Sequence, residues 1–191
     1  MWRPAVVTAA PTTPVISLDQ AKDHLGVEHD DHNAQIELML AAALAHVERR
    51  TGQRLAEQVV TCRCSGWEAM AALPVAPIAE VTAIRYFDGS GIERALAPEA
   101  YEARIDGLMA EVVPTGGAGW PAAHAGQLIT LEARVGYEPG SAPFELVAAA
   151  KLILGDLYAY RETAQVGAAG SEIKVSVNLD GLLENHRIHL I

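Results

Sequence analysis

A chain of 191 residues, 50% hydrophobic and 20% charged, has the make-up of a globular protein long enough for one well-packed domain carrying an extended arm. Its 14 Lys and Arg stand against 24 Asp and Glu, a net charge of -10. The acidity is spread along the chain rather than confined to a tail, with +1 over residues 1–16, -4 over 17–50, -5 over 51–142 and -2 over 143–191, so no segment supplies the clustered cations that tight DNA or RNA binding needs.

Aromatic residues make up only 5%, and Ala is abundant, so the core is expected to be aliphatic and built on closely approaching helices. The N-terminal stretch lacks the continuous apolar region of a secretory signal, and no apolar run approaches the length of a membrane span. A soluble, unexported product without a membrane partner is expected.

In chain order, residues 1–16 contain Pro4, Pro11 and Pro14 and read as an extended N-terminal arm. Ser17, Leu18, Asp19 and Gln20 form a capping-box pattern that predicts a short helix over 18–25, ending at Gly26. A second helix is predicted from Asp30 or Asp31, whose carboxylates would cap it, to Thr51 and Gly52. Ile36, Met39, Leu40, Ala43, Leu44 and Val47 share its core stripe, while Leu38, Ala41, Ala42 and Ala45 lie opposite, either as exposed surface or as a seat for a neighbouring subunit.

Between Arg54 and Tyr137 the pattern changes to short Val-, Ile-, Thr- and Tyr-rich runs. Strands are predicted near 57–64, 78–87, 92–96, 101–104, 110–113 and 128–135, with a hairpin turn at Asp88 to Gly91. Ser141 and Pro143 open a third helix expected to reach about Gln165, with Leu146, Ala150, Ile153 and Leu157 as its main stripe. Val147, Leu152, Leu154 and Tyr158 extend its apolar surface around the helix, which implies burial from more than one direction. Ile173 to Val175 has a brief β-like pattern. Leu179 to Ile191 reads as a short terminal helix or extended tail whose apolar end, Ile188, Leu190 and Ile191, finds no evident partner within the chain.

The residue types and spacings that carry chemistry do not assemble into a convincing site, so no catalytic, cofactor-binding or metal residue is assigned. There is no phosphate-binding G-x-x-x-x-G-K-[ST] loop. Gly116, Gly117 and Gly119 neither follow a clear strand nor open a helix, and Gly89-Ser90-Gly91 sits in a hairpin turn rather than in a nucleophile elbow. His29, Asp30, Asp31 and His32 read as a solvated helix start. Cys62 and Cys64 point to one face of a strand, read as small buried hydrophobes, and fit a reducing compartment.

The order of capped short helix, Ala-rich helix ending in Thr-Gly, antiparallel β insertion and Pro-opened helix resembles the head-tail connector, or adaptor, family of long-tailed bacteriophages and phage-like gene transfer agents. The echoes are Ser17 to Leu25, Ile36 to Gly52, Pro143 to Leu157 followed by Tyr158-Ala159-Tyr160-Arg161-Glu162, and Leu182-Leu183 before Arg187. The resemblance implies an α+β fold, with a mainly helical body of three to four helices and an inserted antiparallel β region. It divides the chain into an arm at 1–16, an adaptor domain at 17–165 with the β insertion at about 53–137, and a tail at 166–191.

The function implied is a structural ring, commonly of twelve subunits, under the portal protein in the neck of a particle assembled in the bacterial cytoplasm. It would join head to tail, bind a stopper or tail-terminator protein below, and line a channel through which DNA passes without tight binding. Candidate subunit or portal contacts are Leu38, Ala41, Ala45, Leu152, Tyr158, Leu182, Leu183, Arg187, Ile188, Leu190 and Ile191, with Leu179 to Ile191 expected to dock on portal or neighbour. The alternatives are a small cytoplasmic enzyme using Asp, Glu and His in a cleft of the β region, and a regulatory binding module without a ring.

Overall fold

The hydroxyl of Ser17 accepts the Gln20 N–H at 3.2 Å while the Gln20 side-chain oxygen accepts the Ser17 N–H at 3.0 Å, and this reciprocal cap starts helix α1, Leu18–Leu25. Gly26, at φ 67°, ends it where the sequence places the stop. The computed structural model describes residues 1–160 and 178–188, which divide into two units: a helical unit of 14–55 with 139–188, and a β unit of 1–13 with 56–138.

Helix α2 spans Asn33–Thr51, so it begins later than Asp30 or Asp31. The expected carboxylate cap is not used. The Asp30 carboxylate instead accepts the Lys22 ammonium at 2.6 Å and the Asn33 amide at 3.1 Å, and the residue at the cap position, His32, makes no side-chain cap bond. These two bonds hold the Asp30 carboxyl below its ordinary value, the Lys22 bond most strongly. Gly52, at φ 77°, closes α2 by donating to the Glu48 carbonyl at 2.8 Å.

Helix α3, Phe144–Ala159, starts after Pro143 without a side-chain cap. A seven-residue helix α4, Asn178–Glu184, follows the undescribed stretch. Ile36, Leu40, Ala43 and Val47 of α2 pack with Leu146, Ala150, Ile153 and Leu154 of α3, Ala21 of α1 and Leu179 and Leu183 of α4 in one aliphatic core. Leu157, expected on the α3 core stripe, is 38% exposed and is not part of that core. The expected continuation of α3 toward Gln165 and the β-like Ile173 to Val175 lie outside the described residues.

In the β unit the N-terminal stretch contributes strand β1, Val6–Ala9, which pairs antiparallel with β2, Gln58–Cys64. The arm is therefore partly an edge strand. The remaining strands are β3 Ile78–Phe87, β4 Glu93–Ala95, β5 Tyr101–Asp106, β6 Met109–Pro114 and β7 Ile129–Val135, each overlapping its sequence-predicted run. The main sheet is antiparallel with order β1-β2-β7-β3-β4, and β5 and β6 form a separate two-stranded hairpin.

Strict alternation in β2 and β7 puts Val60, Cys62, Cys64, Ile129, Leu131, Ala133 and Val135 on one buried face. The alternation breaks in β3 at two register shifts, between Ile78 and Glu80 and between Val81 and Ala83, so that Ile78, Val81 and Ile84 all still face the core. The short 3-10 helix Trp67–Ala71, with Met70 and Leu73, contributes to the same core. The fold is α+β, a helical body whose chain is interrupted by an antiparallel β region.

Candidate interaction surface

Alanine-rich α2 buries one stripe and leaves its opposite side, Leu38, Ala41, Ala42 and Ala45, exposed. Leu38 stands out, at 72% exposure, on a bed of methyl groups. The spacing i, i+3, i+4 and i+7 that keeps these residues off the core also lines them up on one strip. Leu152 of α3 is 36% exposed, and Tyr158 is half-buried against the helical core. Phe144, at 78% exposure, is the large apolar side chain that the sequence reading passed over. It lies off the stripe of Leu146, Ala150 and Ile153, and that displacement was the available signal.

The C-terminal candidates divide. Leu183 is 1% exposed and belongs to the chain's own core, so it is corrected from an intersubunit contact to an internal anchor of α4. Leu182 packs partly against the same core. Ile188 does have a partner within the chain: its side chain lies against Gly52 and its N–H donates to the Thr51 carbonyl at 2.8 Å. Arg187 is exposed, and Leu190 and Ile191 lie outside the described residues.

Gln53 reinforces this attachment, since its buried side-chain amide donates to the carbonyl of His186, whose ring lies 3.7 Å from the Glu145 carboxylate. Removing the amide partner of a buried carbonyl would leave that carbonyl unsatisfied. Residues 178–188 are thus a fastened segment of the helical unit.

In the β unit, Asp88 organises the hairpin turn. One carboxylate oxygen accepts the N–H groups of Ser90 and Ile92 at 2.9 and 3.1 Å, and the other accepts Arg94 at 2.9 Å. The Ser90 hydroxyl and Arg94 hold its carboxyl well below the usual aspartate range. On the polar side of the sheet Arg134 bridges Glu57 and Glu80, each at 3.1 Å, and these carboxylates push its pKa further up. Trp120 stacks on Trp67 with ring centroids 4.6 Å apart, and Trp67 also meets Tyr86 edge-on, which ties the glycine-rich 115–126 loop to the sheet.

Cys62 and Cys64 are buried thiols not joined in a disulfide, and burial pushes the Cys64 thiol up. His29 lies edge-on to His32 with centroids 5.0 Å apart, at the exposed approach to α2. Among the described residues, no group of three or more His, Cys, Asp and Glu converges as a metal site requires. No described helix is long and apolar enough to cross a membrane.

Residues 15–94 match the family described as "Phage gp6-like head-tail connector protein". No curated protein matches the chain significantly. A solved chain from the "Neck of empty GTA particle computed with C6 symmetry" superposes with a TM-score of 0.79 at 24% identity, covering 99% of this chain and 97% of that one. A chain from the "Virion of native gene transfer agent (GTA) particle" gives 0.77 at 25% identity, covering 98% and 96%. One from the "Neck of native GTA particle computed with C12 symmetry" gives 0.71 at 25% identity, covering 96% and 97%. Residues 15–94 are thus similar to the phage gp6-like head-tail connector family, and over nearly its whole length the fold is similar to that of chains from gene transfer agent particles, two of them from the neck.

Proposed function

We propose that this chain is the head-tail adaptor of a phage-like particle, a structural neck protein that joins the head to the tail. The observation that carries the reading is agreement between two independent signals, a connector-type sequence over residues 15–94 and a fold shared along nearly the full length with gene transfer agent particle chains. The adaptor assembles as a ring of copies under the portal, with a stopper or tail-terminator protein below it, and does its work by contact rather than by catalysis. Assembly takes place in the bacterial cytoplasm before the ring is built into the neck.

Charge fits a conduit. A ring whose subunits each carry -10 presents few cations to passing DNA, so the polyanion is not held by counterion-releasing contacts. Portal contact is assigned to the end of the tail, with Arg187 exposed after α4 and Leu190 and Ile191 beyond it.

The test is deletion of the gene in a producing cell, followed by electron microscopy. Heads that fill but carry no tails, rescued by the wild-type gene, are expected; normally tailed particles refute the adaptor role. In a portal capture assay, removing residues 189–191 should weaken binding, and unchanged capture rules out the assigned portal contact.

A further inference from the structure

Cyclic rings of more than two copies are built head to tail, so each copy must carry two different faces, one to give and one to receive. We infer that the adaptor ring closes through an antiparallel contact of α2 on one copy with α3 on the next, Ala45 meeting Phe144 and Leu38 meeting Leu152. This inference rests on the adaptor reading and names the two faces that make the ring.

The two helices pack their buried stripes toward one core, and each leaves an apolar strip on its outer side. On α2 this strip is Leu38, Ala41 and Ala45; on α3 it is Phe144, Ala148 and Leu152. Strips that face away from a shared core suit head-to-tail stacking, since a twelve-membered ring turns each copy by only about 30°. The lengths also agree: Leu38 to Ala45 rises about 10 Å and Phe144 to Leu152 about 12 Å at helical pitch.

Shape is complementary as well. The alanines make a shallow, low-relief surface that lets a second helix approach closely, and Phe144 offers a large side chain to lay on it, while Leu38 supplies the reverse knob toward Leu152. The Glu37 charge favours one direction. Antiparallel alignment brings exposed Glu37 near Lys151, and exposed Arg49 near the end of α3 that carries Glu145. Parallel alignment, with Leu38 on Phe144, would instead set Glu37 beside Glu145, a like-charge juxtaposition. A second copy of this chain therefore satisfies the α2 strip both in relief and in sign.

The experiment places cysteine pairs in the full chain and oxidises purified particles, or portal-bound complexes, before denaturing electrophoresis. The variant A45C/F144C, and independently L38C/L152C, should give a ladder of covalent multimers, whereas the parallel-register pair L38C/F144C should remain monomeric. The native Cys62 and Cys64 are buried and contribute only background. Incorporation of both antiparallel pairs into necks without a ladder overturns the contact while leaving the adaptor reading intact. A wild-type chain absent from necks overturns both. As a second measurement, Glu37→Lys should reduce ring formation and the added Lys151→Glu should restore it; a double variant no better than the single one counts against the alignment.

Discussion

The N–H of Ile188 donates to the carbonyl of Thr51 across 2.8 Å, fastening the end of the described chain to the last turn of α2. Gln53 holds the same junction from beside it through the His186 carbonyl. Replacing Gln53 with Ala leaves that carbonyl without its donor, and the expected loss is about 1–3 kcal/mol. Chemical denaturation gives the total, and hydrogen exchange should show α4 opening before the rest of the helical unit. Equal protection of α4 in both proteins would refute the fastening role. Leu183→Ala should cost more, about 2–5 kcal/mol, because it empties a closed aliphatic core.

Gly136 sits at φ 96°, and a Cβ there would come within 2.0 Å of the Ala56 carbonyl oxygen. Both the left-handed backbone and the close approach exclude a side chain, so Gly136→Ala should destabilise the β unit by more than about 2 kcal/mol. Thermal unfolding measures it. A variant with an unchanged midpoint would mean that the junction of β2 and β7 relaxes freely.

Ser17→Ala removes the hydroxyl half of the reciprocal cap on α1 and should cost about 1 kcal/mol. Ser17→Asp should recover most of it, because a carboxylate accepts the same N–H and favours a helix start. The pair separates a cap effect from a general surface effect.

The Asp88 carboxyl titrates lower in the folded hairpin than in an unfolded chain, because Ser90, Arg94 and the Ile92 N–H favour its charged form. Its contribution is therefore complete above the unfolded aspartate value of about 3.9 and is lost as pH falls through the lower folded value. Asp88→Asn should flatten that acid dependence and raise amide exchange at Ser90 and Ile92 at neutral pH. An unaltered acid limb would assign the effect to other carboxylates.

Local chemistry was legible wherever a signal and its consequence lay within a few residues. The Ser17 and Gln20 cap, the Gly26 and Gly52 stops and the six strand runs are of this kind. The N-terminal strand was not, because β1 is set by β2, with Val6 opposite Thr61, rather than by its own Pro-flanked sequence. The start of α2 was misplaced for a similar reason, since Lys22 eight residues earlier claims Asp30. At the candidate surface, the outward alanine strip followed from helical spacing. Leu183 required knowing that α4 folds back on its own core, a contact separated from its partners by far more than any local pattern.

Gln58 pairs with Val135, so the strands that enter and leave the β unit run side by side. Once that pair forms, the 83 residues from Ala56 to Glu138 act as a clasp whose two ends meet, and the two halves of the helical unit are joined as though by a short link. Shortening the effective loop in this way lowers the closure entropy by on the order of 2 kcal/mol. The same clasp lets everything beyond it, hairpins and glycine loop alike, lengthen or shorten over evolutionary time without pulling the helical halves apart.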